Sequence, residues 1–432
     1  MRPVAYSPGR AARFYVPLLL QAFSQSLTYP LVGSITSHGP DGVDALTAFT
    51  LGQVIQFMIG ALGGGLIMTG MVFARTKEGL GSFRRLNFMM MVALISAQAL
   101  MCVHPIDTFC FTHLLNLSPH LAEIARRTTL FGIVMQAGFF MRNVPLVVLY
   151  NAYASSEANA ATIARIALTL AFAVTFPHLG WTGPDWGLFA LTVPVMLEWL
   201  LSEAFAVKYR RRLESGENAS VMTQFRFSVP LALGAGLLAV SPFVTAAFVG
   251  RTHDATDMLA IHYVTLGIAN PVSYAALRMQ AVSIQFPPEW NGDRRLLKFA
   301  IVAGALLGVI PLAFSTPLIG NWYYGGCQNV PPRILPTVRL VSFLYSFICI
   351  IHAVRGRVEG LAAIRRRPSA VMAGQFAYFG ALSLALIAML PMRIPGWAMA
   401  VMAIYVAPVA ATVATYAWLH RQGQSQSKNL ES

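Results

Sequence analysis

The stretch RFYVPLLL at Arg13–Leu20 returns, little changed, as RFSVPLAL at Arg226–Leu233. Six of the eight letters agree, and the 213 positions between the two copies are close to half of the 432-residue chain. The same shift places Arg355 on Arg142. A constant shift that also carries charged residues predicts a duplicated chain with two similar halves. Chance similarity between apolar, proline-containing helices is the alternative.

The composition places both halves in a membrane. Hydrophobic residues make up 56% of the chain, charged residues only 11%, and the mean hydropathy is +0.59. Soluble domains carry about 25% charged residues. Runs of about 18 or more nearly charge-free residues recur along the chain, as in membrane-spanning helices. The first apolar run, about 24 residues long, exceeds a signal-peptide core, so we expect it to be retained as a span.

The apolar runs predict an all-α membrane protein with twelve transmembrane helices in two six-helix, pseudo-symmetric bundles. The predicted bundles are residues 1–213 and residues 214–432, the second with a short cytoplasmic tail. Because six is even, both halves enter the membrane from the same side and form parallel repeats, an architecture typical of transporters. The predicted spans are 14–37, 45–73, 86–104, 128–152, 161–179, 187–207, 226–250, 258–284, 299–319, 336–356, 370–392 and 398–419.

The distribution of charge predicts the orientation. Of 31 lysines and arginines, 21 fall in segments on the side of the N-terminus and five in loops on the other side. Positive residues favour the cytoplasmic face, so both termini are expected there. The net charge of +14 includes KYRRRL at Lys208–Leu213 and IRRRP at Ile364–Pro368. We expect these to lie among anionic lipid headgroups; a nucleic-acid patch is the less favoured interpretation, and no nucleic-acid partner is expected.

Two charged residues are predicted deep inside spans of the first half. Arg142 lies in FFMRNVP and Glu198 in VMLEWL. Charges at bilayer depth are costly and usually face a partner or a cavity. In one interpretation the two side chains pair and stabilise the first bundle. In the other, Arg142 and Arg355 line the substrate path and attract an anion, while Glu198 is a buried carboxyl with a raised pKa that couples transport to protons.

Further candidates are assigned by position. Arg339, Arg278 and His262 are candidates for the substrate path, although Arg278 and Arg339 lie near span ends and could instead extend towards the headgroups. The hinge candidates are Pro17 and Pro230, where a helix could kink, and Gly64 in a glycine-rich stretch. Close helix packing is the plainer interpretation of Gly64.

Several functions are not predicted. The chain has no phosphate-binding GxxxxGK[ST] loop, no HExxH and no GxSxG, so no enzyme activity is expected. Its four cysteines have no metal-binding or redox spacing, and neither a metal nor a cofactor is expected. Cys110 and Cys327 both fall in predicted outer loops and either pair across the halves or remain unrelated thiols.

The sign of the buried charge favours an anionic substrate. The spans that open each half carry no carboxylate at depth, whereas a cation exporter needs acids there, and buried arginines outnumber acids. Guanidinium groups bind carboxylates and phosphates through two parallel hydrogen bonds.

Two six-helix halves that each open with RF-VPL resemble the multidrug/oligosaccharidyl-lipid/polysaccharide (MOP) exporter superfamily, and within it the progressive ankylosis (ANK) proteins. This resemblance implies a V-shaped, MATE-like alternating-access carrier that exports small polyvalent anions such as pyrophosphate, nucleoside triphosphate or citrate. Arg339 stands where the family pattern has an arginine. The matching stretches are FYVPLLL (Phe14–Leu20), GMVFARTKEG (Gly70–Gly79), FSVPLALG (Phe227–Gly234), ANPVSY (Ala269–Tyr274), VRLVSF (Val338–Phe343) and RGRVEGLAAIRRRP (Arg355–Pro368).

The function expected from the sequence is therefore secondary-active export of a small organic or phosphate-containing anion. Three alternatives stay open: a flippase for lipid-linked saccharides, which should show a lateral apolar groove; a cationic drug/proton antiporter; and, from another class, a non-transporting membrane scaffold or subunit. The excess of arginine, 27 against four lysines, is typical of a GC-rich bacterial genome and hence of an inner-membrane location. A monomer is expected.

Overall fold

The computed structural model describes residues 6–39, 42–114, 117–217, 219–290, 292–328 and 330–431. Within these ranges the chain is helical and contains no strand. Short π-helical segments follow α4 (Thr108–Leu114) and α12 (Asn321–Cys327), and a 3₁₀ turn follows α15 (Leu390–Met392). The helices are α1 (Pro8–Ser37), α2 (Gly42–Ala61), α3 (Leu66–Phe73), α4 (Lys77–Leu100), α5 (Pro119–Asn151), α6 (Ser155–His178), α7 (Pro184–Arg210), α8 (Val221–Val249), α9 (Ala255–Leu277), α10 (Met279–Gln285), α11 (Arg295–Ser315), α12 (Pro317–Gly320), α13 (Leu335–Tyr345), α14 (Ile348–Ile364), α15 (Pro368–Met389) and α16 (Gly396–Glu431).

Each of the twelve predicted spans coincides with one helix or with two successive helices. The spans predicted at 45–73, 258–284 and 336–356 are each broken, into α2 and α3, α9 and α10, and α13 and α14. Among the described residues, nine helices or helix pairs are long and apolar enough to cross a membrane. The expectation of an all-α chain is thus confirmed for the described residues.

Glycines cause the break between α2 and α3. A Cβ added to Gly65 would lie 2.4 Å from the Cβ of Leu231, and one on Gly64 would lie 3.3 Å from the Cβ of Ala235. The missing side chains therefore let this segment pack closely against α8. The predicted hinge position Gly64 lies in the break, where close packing is what the structure shows; a hinge role stays a prediction.

The chain divides into two compact units. Among the described residues, the first comprises 23–236, and the second comprises 6–22 and 237–431. This partition differs from the predicted halves, 1–213 and 214–432, in two segments, because the N-terminal part of α1 packs with the second unit and the N-terminal part of α8 with the first. Pro17 and Pro230 lie within α1 and α8, five and six residues before these unit boundaries.

One aromatic pair in each unit holds the N-terminal part of α1 or of α8 in place. In the second unit the rings of Phe14 and Phe286 meet edge to face, with centroids 6.2 Å apart. In the first unit Phe227 and Phe73 meet in the same way at 5.1 Å. The 213-position shift converts one pair into the other. The repeat therefore extends to tertiary contacts, which supports duplication over chance similarity.

Hydrogen bonds reinforce each segment. The Tyr15 hydroxyl donates to the carbonyl oxygen of Ala275 at 3.2 Å inside the second unit. In the first unit the hydroxyls of Ser228 and Thr69 are 2.8 Å apart. Since Tyr15 and Ser228 are also related by the shift, equivalent positions hold α1 and α8 in place with different chemistry.

Candidate functional site: buried charge clusters in the two units

The first cluster surrounds Glu198 of α7, whose side chain is fully buried. Arg142 of α5 donates from Nη1 to Glu198 Oε2 at 2.5 Å. The Nε of Arg165, on α6, lies 3.3 Å from the same oxygen. Thr162 of α6 donates from its hydroxyl to Oε1 at 2.5 Å. One carboxylate is thus shared by two guanidinium groups and a hydroxyl.

Arg142 and Glu198 thus form the ion pair that the first of the two interpretations predicts. The alternative, in which the two residues act apart, is not the arrangement in this structure. The side chain of Arg142 is 9% exposed and its guanidinium lies 4.8 Å from the ring centroid of Phe139. Arg142 is therefore the most accessible charged member of the first cluster.

Arg165 lies close to the start of the predicted span 161–179, where an arginine could extend towards the headgroups, but its side chain is only 2% exposed. The reason is that α6 begins at Ser155, six residues before the predicted start of the span at 161. Arg165 therefore lies in the third turn of the helix, level with Glu198. A neighbouring carboxylate gives the guanidinium a partner inside the protein, so it need not reach water.

The second cluster is built around Arg355 of α14, which is 1% exposed. Its Nε donates to Glu359 Oε1 at 2.7 Å, and its Nη2 donates to Gln375 Oε1 at 2.6 Å. Gln375 donates in turn to Glu359 Oε1 at 3.1 Å, and Gln280 donates to the other oxygen of Glu359. The guanidinium also stands 4.9 Å from the ring centroid of Tyr378.

Sequence reasoning missed Glu359. The predicted span ended at residue 356, whereas α14 continues to Ile364 and buries Glu359 to 1% exposure. The signal was present, because a glutamate four residues after Arg355 lies on the same helical face and within reach of its side chain. A hydropathy window alone excludes such a residue from a span.

The two clusters occupy equivalent positions of the repeat. Three related pairs of positions supply side chains to both: Arg142 and Arg355, Thr162 and Gln375, Arg165 and Tyr378. The carboxylates are not equivalent, because Glu198 corresponds to Ala411 and Glu359 to Leu146. With the arginines and glutamates charged, the first cluster carries a formal charge of +1 and the second is neutral.

The other three predicted path residues all lie in the second unit. Arg339, half-buried on α13, donates to the Ser315 carbonyl and to Asn321 Oδ1, both at 3.3 Å. Arg278 is half-buried in the break between α9 and α10. His262 is 1% exposed on α9, and within the described residues neither ring nitrogen has a hydrogen-bond partner. The structure brings together Arg142 and Glu198 only; Arg355 belongs to the other unit.

Cys110 is a buried free thiol, but the side chain of Cys327 lies outside the described residues, so their pairing stays untested. In the part of the chain that the structure describes, no group of three metal-ligating side chains occurs.

No protein-family model and no curated protein matches this chain. Solved structures do. A MOP superfamily transporter from Pyrococcus furiosus is 11% identical with a TM-score of 0.70, covering 98% of this chain and 97% of that one. The eukaryotic MATE transporter AtDTX14 is 14% identical with a TM-score of 0.69 and 95% coverage of both. A MATE protein in complex with MaL6 is 14% identical with a TM-score of 0.72, covering 98% and 97%.

The chain has the MATE fold. This confirms the predicted fold class, an all-α, multi-pass membrane protein of the MATE and MOP type, and the twelve-helix count agrees with it. At 11–14% identity the likeness extends to the fold alone. What this MATE-fold chain does has to be argued from its own residues.

Proposed function

We propose that this chain is a secondary-active, alternating-access transporter that exports a small organic or phosphate-containing anion. The observation that carries the proposal is the first cluster, in which Arg142 and Arg165 share the single carboxylate of Glu198 at bilayer depth. An excess positive charge is unfavourable inside a membrane unless an anion compensates it. A substrate carboxylate or phosphate supplies that compensation.

The helices that open each half agree with an anion. Neither α1 nor α8 contains an acidic residue. A cation exporter of this architecture would need carboxylates on the substrate path, so antiport of cationic drugs is disfavoured. The anion would meet Arg142 first, because that side chain is the most exposed of the first cluster's charged members. It would compete there with Glu198, which then becomes the group whose charge can be coupled to transport.

The finer assignments belong to the same proposal. We place the chain near the ANK-like branch of the MOP superfamily, as a monomer in a bacterial inner membrane, with both termini cytoplasmic and its arginine-rich loops among anionic headgroups. The similar transporter from Pyrococcus furiosus is described as having a binding pocket whose reverse polarity suggests a different function. That statement concerns the other protein, but it makes an anion-selective member of this fold a reasonable hypothesis.

Transport by the purified protein tests the proposal. Proteoliposomes are loaded with radiolabelled pyrophosphate, citrate or ATP, and efflux is measured for the unaltered chain, for Arg142→Lys and for Arg84→Lys. Lysine keeps the charge but cannot form two parallel hydrogen bonds, so Arg142→Lys should slow efflux by about tenfold or more. Arg84 is exposed on α4 and serves as the matched control, with unchanged efflux expected.

Two results would count against the proposal. Monodisperse protein that moves none of the three anions would remove the assigned substrate class. Efflux that is equally fast in Arg142→Lys and Arg84→Lys would remove the first cluster from the transport path, even if transport itself occurs.

A lateral groove favours a second candidate, a flippase for lipid-linked saccharides. In the second unit a groove of about 390 Å³ runs between α13 and α16. The Tyr405 hydroxyl in its lining donates to the carbonyl oxygen of Leu344 and is thereby satisfied. The lining residues are Leu344, Trp397, Ala398, Val401, Met402, Tyr405 and Val406. Movement of a fluorescent lipid-pyrophosphate saccharide between leaflets, without efflux of free anions, would select this function.

A further inference from the structure

The α6–α7 hairpin has a register that two polar contacts define. Thr162 of α6 meets Glu198 of α7. Nearer the open ends of the two helices, Glu157 accepts a hydrogen bond from Lys208 Nζ at 2.8 Å. The helices are antiparallel, joined after His178 and before Pro184. The stretch of α6 between Glu157 and Thr162 therefore lies alongside the stretch of α7 between Glu198 and Lys208.

Asn159 and Ser202 occupy that interval. Asn159 is 8% exposed and Ser202 is fully buried. Ser202 lies four residues after Glu198 and therefore on the same face of α7. Together with Glu157 they continue the polar line from Glu198 towards the ends of both helices. We call this line the α6–α7 seam: Glu157, Asn159, Thr162, Glu198 and Ser202.

The seam contains buried polar atoms that lack hydrogen-bond partners among the described residues. They are Glu157 Oε2, Asn159 Oδ1 and Ser202 Oγ; Arg142 Nε, beside Glu198, is a fourth. Buried polar atoms are almost always hydrogen-bonded. When protein groups do not satisfy them, ordered water is the usual partner, and it needs several polar atoms in one place. Three such atoms lie within this short stretch of the two paired helices, and ordered water is the partner that would satisfy them.

Beyond Glu198 the interface changes character. Val195, three residues before Glu198, is 1% exposed and packs in an apolar cluster with Leu191 and Phe176. Phe172 and Phe176 stack with ring centroids 4.6 Å apart. This apolar plug offers no partner for water. Polar access to Glu198 along the hairpin therefore runs from one end only.

We propose that the α6–α7 seam is a one-sided water path that connects Glu198 with the membrane face at which Glu157 and Lys208 lie. The path would let the Glu198 carboxylate exchange protons with that face alone. The groups facing it are Arg142 from α5, and Arg165 and Thr162 from α6. Two further helices pack on α7. One is α1, through Val32 and Thr36, and its charged residues, Arg10 and Arg13, lie near its opposite end. The other is α2, whose single charged residue, Asp44, lies in its first turn. The path does not depend on which substrate is carried.

Cysteine accessibility tests the water path without any transport assay. All four natural cysteines are replaced by serine, and Ser202→Cys, Val195→Cys and Leu200→Cys are each introduced into this background. The proteins are reconstituted into oriented vesicles and treated with a charged, membrane-impermeant methanethiosulfonate, applied to one face at a time. Leu200 is 56% exposed on α7 and faces lipid, so it controls for depth without water.

Thiolates form in water and react, whereas thiols in apolar surroundings do not. Ser202→Cys should therefore react about tenfold or more faster than Leu200→Cys, and from one face only, while Val195→Cys should stay as slow as Leu200→Cys. If Ser202→Cys fails to fold, Asn159→Cys reports on the same seam from α6.

A rate for Ser202→Cys or Asn159→Cys no higher than that of Leu200→Cys would overturn the water path. Equally fast reaction of Val195→Cys, or reaction from both faces, would overturn its one-sidedness. Because the readout is a labelling rate, failure of the proposed anion transport leaves this test unaffected.

Discussion

Glu198 lies between two guanidinium groups in the interior of the first unit, and its charge decides the stability of that unit. Burying an ion pair brings little net stabilisation relative to apolar residues of the same shape, because both charges lose their water. Removing one partner is far more costly, since the remaining charge is then buried without compensation. The carboxylate therefore holds the two arginines in the membrane, whatever else it does.

Replacing Glu198 by glutamine should destabilise the protein strongly. Glu198→Gln keeps the shape but leaves Arg142 and Arg165 without a counter-charge, at a cost of about 3–5 kcal/mol. The matched control is Glu203→Gln on the same helix, where Glu203 and its partner Arg210 are about one-third exposed; such a pair contributes at most about 1 kcal/mol. Thermal unfolding in detergent measures both. Equal transition temperatures for the two variants would mean that the buried pair is not structural.

A second residue-level prediction concerns acid stability outside the membrane. Hydrogen bonds from the Arg295 side chain lower the pKa of Asp293, in the loop before α11, from 3.8 to about 2. A carboxyl whose pKa is lower in the folded state stabilises the fold above its unfolded pKa, and the effect disappears as the pH falls through the folded value. The contribution of Asp293 should thus be complete at pH 5 and lost between about pH 4 and pH 2.

Unfolding temperatures across this pH range test the assignment. Asp293→Asn should unfold at a lower temperature than the unaltered chain at pH 5, and the difference should close near pH 2. Asp185→Asn is the control, since Asp185 is 67% exposed in a surface pair with Arg127 and should show little effect at either pH. A difference for Asp293→Asn that is independent of pH would contradict the expected ionisation.

At the scale of helices, the apolar runs predicted where spans occur but not where helices end. A helix continues as long as its backbone bonds form and neighbours bury its polar side chains, so Arg165 and Glu359 are interior residues although they lie at or beyond the edges of the apolar runs. Hydropathy contains no information on those neighbours. The pairing of Arg142 with Glu198 was open for the same reason: the residues are 56 positions apart, and only packing brings them together.

The break between α2 and α3 gives a prediction for packing. Gly65→Ala places a methyl group within 2.4 Å of the Leu231 Cβ, so α3 and α8 must separate. We expect a loss of about 1–3 kcal/mol. Gly81→Ala is the control, because Gly81 is exposed in α4 with no atom near its missing Cβ, and alanine there should stabilise the helix by about 0.5–1 kcal/mol. If both variants unfold at the same temperature, the contact between α3 and α8 does not require glycine.

At the scale of the whole molecule, the sequence repeat predicted two similar halves, and the aromatic pairs Phe14–Phe286 and Phe227–Phe73 support this. It did not predict that the first parts of α1 and α8 belong to the opposite units. A constant shift between the two halves of the sequence shows which positions correspond, but not with which unit each segment packs. The repeat also did not predict that each buried arginine has a carboxylate from a different position.

That difference between the units leads to the last prediction. In the second unit Glu359 pairs with Arg355 from four residues further along α14; the equivalent position in α5 is Leu146, which is 3% exposed. If the buried arginine of each unit can pair with a carboxylate four residues later in its own helix, a glutamate at position 146 should substitute for Glu198. Glu198→Ala alone leaves the arginines of the first cluster uncompensated. Adding Leu146→Glu should restore about 1–3 kcal/mol, the contribution of hydrogen bonds to a charged group.

The control for this exchange places the glutamate one residue later in α5. Val147→Glu, combined with Glu198→Ala, introduces the same carboxylate one position later, where the Val147 side chain is fully buried against Gly70 and points about 100° away around the helix. That variant should be less stable than Glu198→Ala alone, because it buries a further charge without a partner. Unfolding temperatures of the three proteins decide the matter. Recovery by Leu146→Glu alone would mean that Arg142 can pair with a carboxylate from either position. Recovery by both glutamates, or by neither, would mean that the two units are equivalent in backbone but not in how their buried arginines pair.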